Sequence, residues 1–307
     1  MMLKEFAKKP RRFVPGHRSC AGCPMPVIVR TVLAAADDPV VVANATGCLE
    51  VTSTIYPFSS WNIPWIHNAF ENAAATISGV ETAYRSWKKK GKIKENIKFL
   101  AFGGDGGTYD IGLQSLSGAL ERGHDFVYVC YDNEGYMNTG NQRSGATPFG
   151  AHTTTAPAGK VHKGKEEFPK NLTEIAVAHN IPYVAQASVS NIIDLYNKAK
   201  KAFEIKGPAV LVVFSPCTAL WKIRTDMAIE VAKLAVETRF WPLYEVENGK
   251  YKINYKPSKQ HVPVEEFLKT QGRFKHLFKP ENKHLIEKIQ KHIDEGWERL
   301  LKKESEG

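Results

Sequence analysis

Two stretches decide the fold: residues 98–112, KFLAFGGDGGTYDIG, and residues 126–140, FVYVCYDNEGYMNTG. Each opens on a β-branched and aromatic run of the length of a buried strand and ends in a turn rich in small or polar residues. In the first, Gly104, Gly106 and Gly107 let the backbone approach a ligand closely, and the helical stretch that follows presents unpaired N–H groups suited to a diphosphate. A dinucleotide fingerprint starting at Gly104 requires Gly at position 109, where this chain has Tyr, and no Lys-Ser/Thr of a P-loop follows; both nucleotide motifs are excluded. What remains is Asp105 in a glycine turn and, 28 residues later (133 − 105), Asn133 at the end of the next strand. Magnesium takes six oxygens near octahedral geometry, often one or two from protein with phosphate and water supplying the rest. Asp105, the Asn133 amide oxygen and a backbone carbonyl near Gly135 supply three such ligands, the arrangement of a thiamine diphosphate site. Alone, the first turn would equally suit a βα turn with a helix-capping Asp.

Working outward, β-branched runs alternate with helical stretches from Pro26 to Glu237. Further strands are expected at VVVANA from Val40, AVLVVFS from Ala209 and, more weakly, YVAQASV from Tyr183. Helices are expected at HNAFENAAATISGVETAYRSW from His67 and NIIDLYNKAKKAF from Asn191. The pattern is α/β: a parallel sheet flanked by helices, here of the diphosphate-binding type, over residues 1–237. Residues 238–307 read as an extension packing on the core or a partner subunit, with a small hairpin in FWPLYEVENGKYKINYKP and a charged amphipathic helix near Glu281 to Lys302. The aperiodic segment from Tyr136 to Lys170 is long enough to be functional or disordered.

The chain has five cysteines in 307 residues and a core large enough to need no disulfide or structural metal. Cys48 follows the first strand, Gly104-Asp105 the second, Asn133 the third and Cys217 the last, so all fall past the carboxyl ends of strands, where open parallel sheets bind ligands. The pair Cys20 and Cys23 in GHRSCAGCPMPV suits thiol redox chemistry, zinc or iron–sulfur. No second C-x-x-C or His pair closes a zinc site, whereas Cys20, Cys23, Cys48 and Cys217 gathered at one edge suit a [4Fe–4S] cluster. Cys130, inside a strand, reads as a small buried hydrophobe. His17 and His67 read as structural, WNIPWIHNAF as core packing at an interface, and Arg143 as a group that could meet a carboxylate.

The formal charge of +10 and pI near 9.2 suit a lysine-rich surface or an acidic electron-carrier partner. No aromatic-basic platform for stacking bases is present, so no nucleic acid is expected. The N-terminus has no apolar run of a signal peptide, and the longest apolar run, PAVLVVF, is too short to cross a bilayer. A reduced, cytoplasmic protein without a membrane anchor is expected.

The stretch GDGGTYDIGLQSLSGALERGHDFVYVCYDNEGYMNTGNQRSGATPFGA resembles the β subunits of pyruvate:ferredoxin oxidoreductase and its 2-oxoacid relatives. The resemblance continues through GHRSCAGC, ATGCLEV, YPFSSWNIPWIHNAFENAAA, FSPC and LAVETRFWPLYEVENG, nearly the whole chain. It implies that Gly104 to Gly107 and the segment Asn133 to Asn138, Gly135 included, hold thiamine diphosphate and Mg²⁺. It also implies that Asn138 lies beside the reacting part of the cofactor, with Cys48 and the cluster close by. The implied reaction is decarboxylation of a 2-oxoacid, most simply pyruvate, to acyl-CoA and CO₂ with electrons passing singly through the cluster to ferredoxin, or the reverse. Other 2-oxoacids (2-oxoisovalerate, 2-oxoglutarate, oxalate) and a non-redox thiamine decarboxylase or lyase are the alternatives. A third reading, a zinc-stabilised interaction or nucleic-acid-binding subunit, predicts metal without thiamine. The implied partners are an α subunit supplying the aminopyrimidine-binding domain and the activating Glu, and γ and ferredoxin-like δ subunits or domains, because this chain has no C-x₂-C-x₂-C-x₃-C run. Where some single-chain members read Gly-Glu after the second cysteine, this chain reads Pro24-Met25.

Overall fold

The computed structural model describes residues 6–257 and 262–306. Its described strands form one eight-stranded sheet in the order β2-β1-β3-β4-β6-β5-β7-β8. The parallel part comprises β1 (Val40–Ala45), β2 (Trp65–Asn68), β3 (Lys98–Gly104), β4 (Val127–Asp132), β5 (Tyr183–Ser188) and β6 (Ala209–Phe214). Every residue of β4, β5 and β6 is buried, as strands covered on both faces require, which is why they read as continuous apolar runs rather than alternating ones.

The connecting helices are α1 (Met25–Ala35), α2 (Cys48–Ser53), α3 (Ala73–Lys89), α4 (Leu113–Glu121), α5 (Leu172–Val177), α6 (Ile192–Glu204) and α7 (Ala228–Glu237). Helix α3 packs on β1 and β3 and sets Tyr84 against Phe99, ring centroids 5.1 Å apart. On the opposite face Phe102 meets Trp61 and Trp61 meets Phe13, closing toward α1, which lies along α6. Because β1 pairs with β2 on one side and β3 on the other, the chain reverses direction across the sheet there, and a crevice opens at the carboxyl ends of β1 and β3.

The helix expected from His67 begins at Ala73 instead. Trp65 to Asn68 pair in register with Val42 to Ala45 as the edge strand β2, so His67 lies on a strand. Four residues are too few to display a period, and the helical spacing downstream hid them.

Beyond residue 238 the hairpin of β7 (Leu243–Glu247) and β8 (Lys250–Tyr255) continues the same sheet, with β7 antiparallel to β5. Helix α8 (Val264–Leu268), a 3₁₀ turn at Gly272–Phe278 and the long α9 (Lys283–Glu306) follow. Phe214, the last residue of β6, is fully buried and lies 4.7 Å from Trp241 and 6.3 Å from Phe267 between ring centroids. This ring joins the later segment to the sheet. Phe214→Ala is expected to cost about 3–5 kcal/mol by removing that contact and leaving a cavity. Denaturant unfolding measures it, and a loss under about 1 kcal/mol would show that the two parts are held together elsewhere.

Candidate functional site at the carboxyl edge of the sheet

The loops after β1, β3, β4 and β6 are neighbours because those strands are consecutive in the sheet. Thr46, Gly47 and Cys48 follow β1; Gly104 ends β3 and Asp105 follows it; Asn133 follows β4; Cys217 lies three residues past β6. Thr46, Gly47, Cys48, Gly104, Gly106, Gly107, Asn133, Gly135 and Asn138 all line a shallow crevice of about 300 Å³, open mouth included, at this edge.

The floor of the crevice is kept bare by packing beneath it. A methyl group on Gly106 would sit 2.5 Å from the ring of Tyr136, whose hydroxyl donates to the Gly106 carbonyl at 2.8 Å. On Gly107 it would sit 3.0 Å from the Phe70 carbonyl. Gly106 to Ile111 form a π-helical turn before α4, a wider coil that recurs at functional sites.

Asp105 is wholly buried. Its Oδ1 accepts the Asn133 amide at 3.2 Å and its Oδ2 accepts the Ser144 hydroxyl at 2.5 Å. Burial drives its carboxyl well above the usual range, and Asp132 adds like-charge repulsion. No Lys or Arg among the described residues forms an ion pair with it. In one orientation of its side-chain amide, Asn133 Oδ1 stands 3.0 Å from both Asp105 Oδ1 and the Gly135 carbonyl, so it meets two other acceptor oxygens. Turning the amide over would place its nitrogen there and make two hydrogen bonds. As placed, the spacing is that of adjacent ligands on an octahedral ion, since Mg–O bonds of about 2.1 Å at right angles put oxygens about 3.0 Å apart. The residues fit a divalent cation.

The turn that creates this spacing passes through Glu134, held at φ 61° in the left-handed region. Three contacts fix it: its N–H donates to Asp132 Oδ1 at 2.9 Å, its carbonyl accepts the Thr147 hydroxyl at 2.8 Å, and its carboxylate pairs with Arg273. Burial pushes Glu134 up to about 7 against the pull of Arg273, and pushes Asp132 up to about 6 although Tyr109 donates to it at 2.5 Å.

Cys20 is exposed; Cys23, Cys48 and Cys217 are half-buried; Cys130 is fully buried within β4. The first four lie within electrostatic reach of one another in every pairing. The Cys20–Cys23 loop is tied to both other thiol loops: Arg18 N–H donates to the Thr52 carbonyl at 2.7 Å, Thr52 in turn to the Cys48 carbonyl at 2.8 Å, and the Thr218 hydroxyl to the Ala21 carbonyl at 2.9 Å. Gly22, at φ +72°, packs so closely on the Thr225 carbonyl that no side chain fits. Burial, then the neighbouring thiols, push Cys48 up to about 12; burial pushes Cys23 up to about 11. Among the described residues no three His, Cys, Asp or Glu side chains converge closely enough to hold a metal. The thiols are near one another without closing on one point, and the oxygen triad contains only one carboxylate.

Asn138 is exposed at the mouth of the crevice. His67 is exposed, with Nδ1 3.0 Å from Glu50 and Nε2 3.4 Å from the Thr46 hydroxyl. His17 stacks on Phe13 at 5.6 Å with a buried, unpartnered Nδ1, and burial lowers its pKa. Arg143 is exposed. Ser144, Trp221 and Arg273 belong to the site's support, yet nothing in the sequence around them announces it. Only Glu134, between Asn133 and Gly135, carried a positional hint. A larger hollow of about 1290 Å³, open mouth included, lies under α9 between Trp241 and Trp297; no thiol lines it, and it reaches Tyr109, Asp132 and Glu134 behind the glycine turn.

Residues 45–213 match the family of the thiamine pyrophosphate enzyme C-terminal TPP-binding domain. The chain is 56% identical to pyruvate synthase subunit PorB of Thermotoga maritima, over 98% of this chain and 94% of that one. It is 47% identical to ketoisovalerate oxidoreductase subunit VorB of Pyrococcus abyssi, over 94% and 92%. Among solved structures it shares its fold with 2-oxoglutarate:ferredoxin oxidoreductase from Magnetococcus marinus, at TM-score 0.58 and 21% identity over 89% of this chain and 96% of that one.

In the metal-free chain the raised thiols predict slow alkylation at neutral pH. At pH 8 a thiol of pKa about 11 is thiolate in roughly one molecule per thousand. Modification of Cys23 by iodoacetamide is expected to rise about tenfold per pH unit from pH 8 to 10 while exposed Cys20 reacts first. Peptide mass spectrometry reads both, and a pH-independent Cys23 rate would contradict the buried, neutral state.

Proposed function

The chain belongs to the family of pyruvate synthase subunit PorB, a thiamine pyrophosphate enzyme family, and on that footing we propose that it is the cofactor-holding subunit of a 2-oxoacid:ferredoxin oxidoreductase acting on pyruvate. The observation that carries the reading is the meeting of the Asp105 carboxyl, the Asn133 side-chain amide and the Gly135 carbonyl, 3.0 Å apart about Asn133, with four thiols at the same sheet edge. Thiamine diphosphate supplies, when bound, the nucleophilic carbon and electron sink for decarboxylating a 2-oxoacid, and a [4Fe–4S] cluster takes up electrons singly.

The chain's own residues have separable tasks in this proposal. Asp105 contributes the negative charge that retains Mg²⁺, and Asn133 and Gly135 complete its protein ligands. Gly104, Gly106 and Gly107 leave room for the diphosphate, whose charge the unpaired amides opening the π-turn favour. Cys20, Cys23, Cys48 and Cys217 hold the cluster, and Asn138 faces the reacting end of the cofactor. The aminopyrimidine-binding domain, its activating Glu, further clusters and the ferredoxin site belong to partner subunits, with coenzyme A as acyl acceptor. A reduced, cytoplasmic setting suits the exposed Cys20; among the described residues no helix is long and apolar enough to cross a membrane.

Pyruvate is favoured by the 56% relative and a branched-chain oxoacid by the 47% one. Four grouped thiols argue against a non-redox thiamine lyase, which has no use for them.

The purified complex is expected to reduce ferredoxin with pyruvate and coenzyme A at a kcat/KM well above that with 2-oxoisovalerate or 2-oxoglutarate. Asp105→Asn is expected to abolish Mg²⁺-dependent thiamine binding and lower activity about 100-fold or more. Cys217→Ser is expected to lose iron and ferredoxin reduction while keeping thiamine. Retained thiamine in the first variant, or full ferredoxin reduction in the second, would refute the assignment; a preference for another 2-oxoacid would refute pyruvate alone.

A further inference from the structure

The crevice and the thiols are joined by a residue that belongs to neither. Arg273 lies in the 3₁₀ turn Gly272–Phe278, more than fifty residues past the last cysteine, and is 3% exposed. Its guanidinium pairs with Glu134, the residue between Asn133 and Gly135. It also lies 3.7 Å above the ring of Trp221, and its Nε donates to Gln271 Oε1 at 2.9 Å. Trp221 then reaches both halves of the site: its indole N–H donates to the Asn133 carbonyl at 3.0 Å, and its backbone N–H to the Cys217 carbonyl at 3.2 Å. The Arg273 charge is felt at Glu134, at Cys217 and at Asp132. Its backbone carbonyl accepts the His152 amide at 3.0 Å, so the long loop over the crevice is fixed to the same point.

Resting on the function proposed above, we propose that Arg273 is a positioning residue shared by the metal turn and the cluster. Through Glu134 and Trp221 it fixes the Asn133–Gly135 turn relative to the Cys217 loop, and its buried positive charge favours the reduced cluster. Two properties of arginine make the pair of tasks possible: a fork that matches a carboxylate, and a flat face that stacks on an aromatic ring while the charge is retained. A lysine keeps the charge and loses the fork and the face.

The test uses the anaerobically purified complex, with EPR-monitored redox titration of the cluster and the Mg²⁺-dependent dissociation constant for thiamine diphosphate. Arg273→Met is expected to move the cluster potential to a more negative value and weaken thiamine diphosphate binding at least about tenfold. Arg273→Lys is expected to keep the potential and still weaken that binding, and it decides the matter if the methionine variant does not assemble. Lys198→Met, which breaks the ion pair of Lys198 with Asp194 (2.7 Å) on α6, is the control for lost burial; it is expected to lower Tm and move neither reading. Wild-type values for both readings in Arg273→Lys, or an Arg273→Met that lowers Tm alone as the control does, would overturn the proposal. A wild-type complex without iron or thiamine would overturn the function on which it rests.

Discussion

A carboxylate taken fully out of water needs a positive charge beside it, and Asp105 has none from the protein among the described residues. Asp132 makes the need greater, and a serine hydroxyl and one backbone amide do not meet it. The surrounding fold is arranged around that deficit. The reversal of strand order about β1 opens the crevice, the glycines after β3 keep it bare, and the left-handed residue at 134 sets two more oxygens 3.0 Å apart against Asp105. An apolar residue at 105 would pack at no such cost, so stability does not account for the buried carboxyl group.

The thiols follow a different logic. They come from three places in the chain, and local hydrogen bonds rather than a common element hold them near one another. Thr52 links the Cys48 helix to the segment before Cys20, and Thr218 links the Cys217 loop to Ala21. In the metal-free chain burial and the neighbouring thiols disfavour the thiolate at Cys23, Cys48 and Cys217, and proton release would accompany any metal they bound. In the proposed function the oxygen triad takes a hard cation and the thiols a soft one.

How much of this was legible in the sequence depends on whether the determinant is local. The strands from Val40, Lys98, Tyr183 and Ala209 were legible because burial on both faces forces an apolar run, and the run then places whatever follows it at the carboxyl edge. That is why the sequence could place Asp105, Asn133, Cys48 and Cys217 at that edge, where they lie. Strand β2 was missed because four residues at a sheet edge display no period. Ser144, Trp221 and Arg273 were missed because their contacts with the site are long-range, 139 residues apart for Arg273 and Glu134. Glu134 was in view, but its backbone conformation and its partner were not.

Anomalous diffraction from anaerobic crystals of the complex grown with Mn²⁺, collected at the manganese and iron edges, tests the central claim most directly. The account predicts manganese bonded to Asp105, the Asn133 amide oxygen and the Gly135 carbonyl, and iron within bonding reach of Cys20, Cys23, Cys48 and Cys217. An Asn133 amide turned to donate its nitrogen to Asp105, with no metal there and zinc or nothing among the thiols, would contradict it.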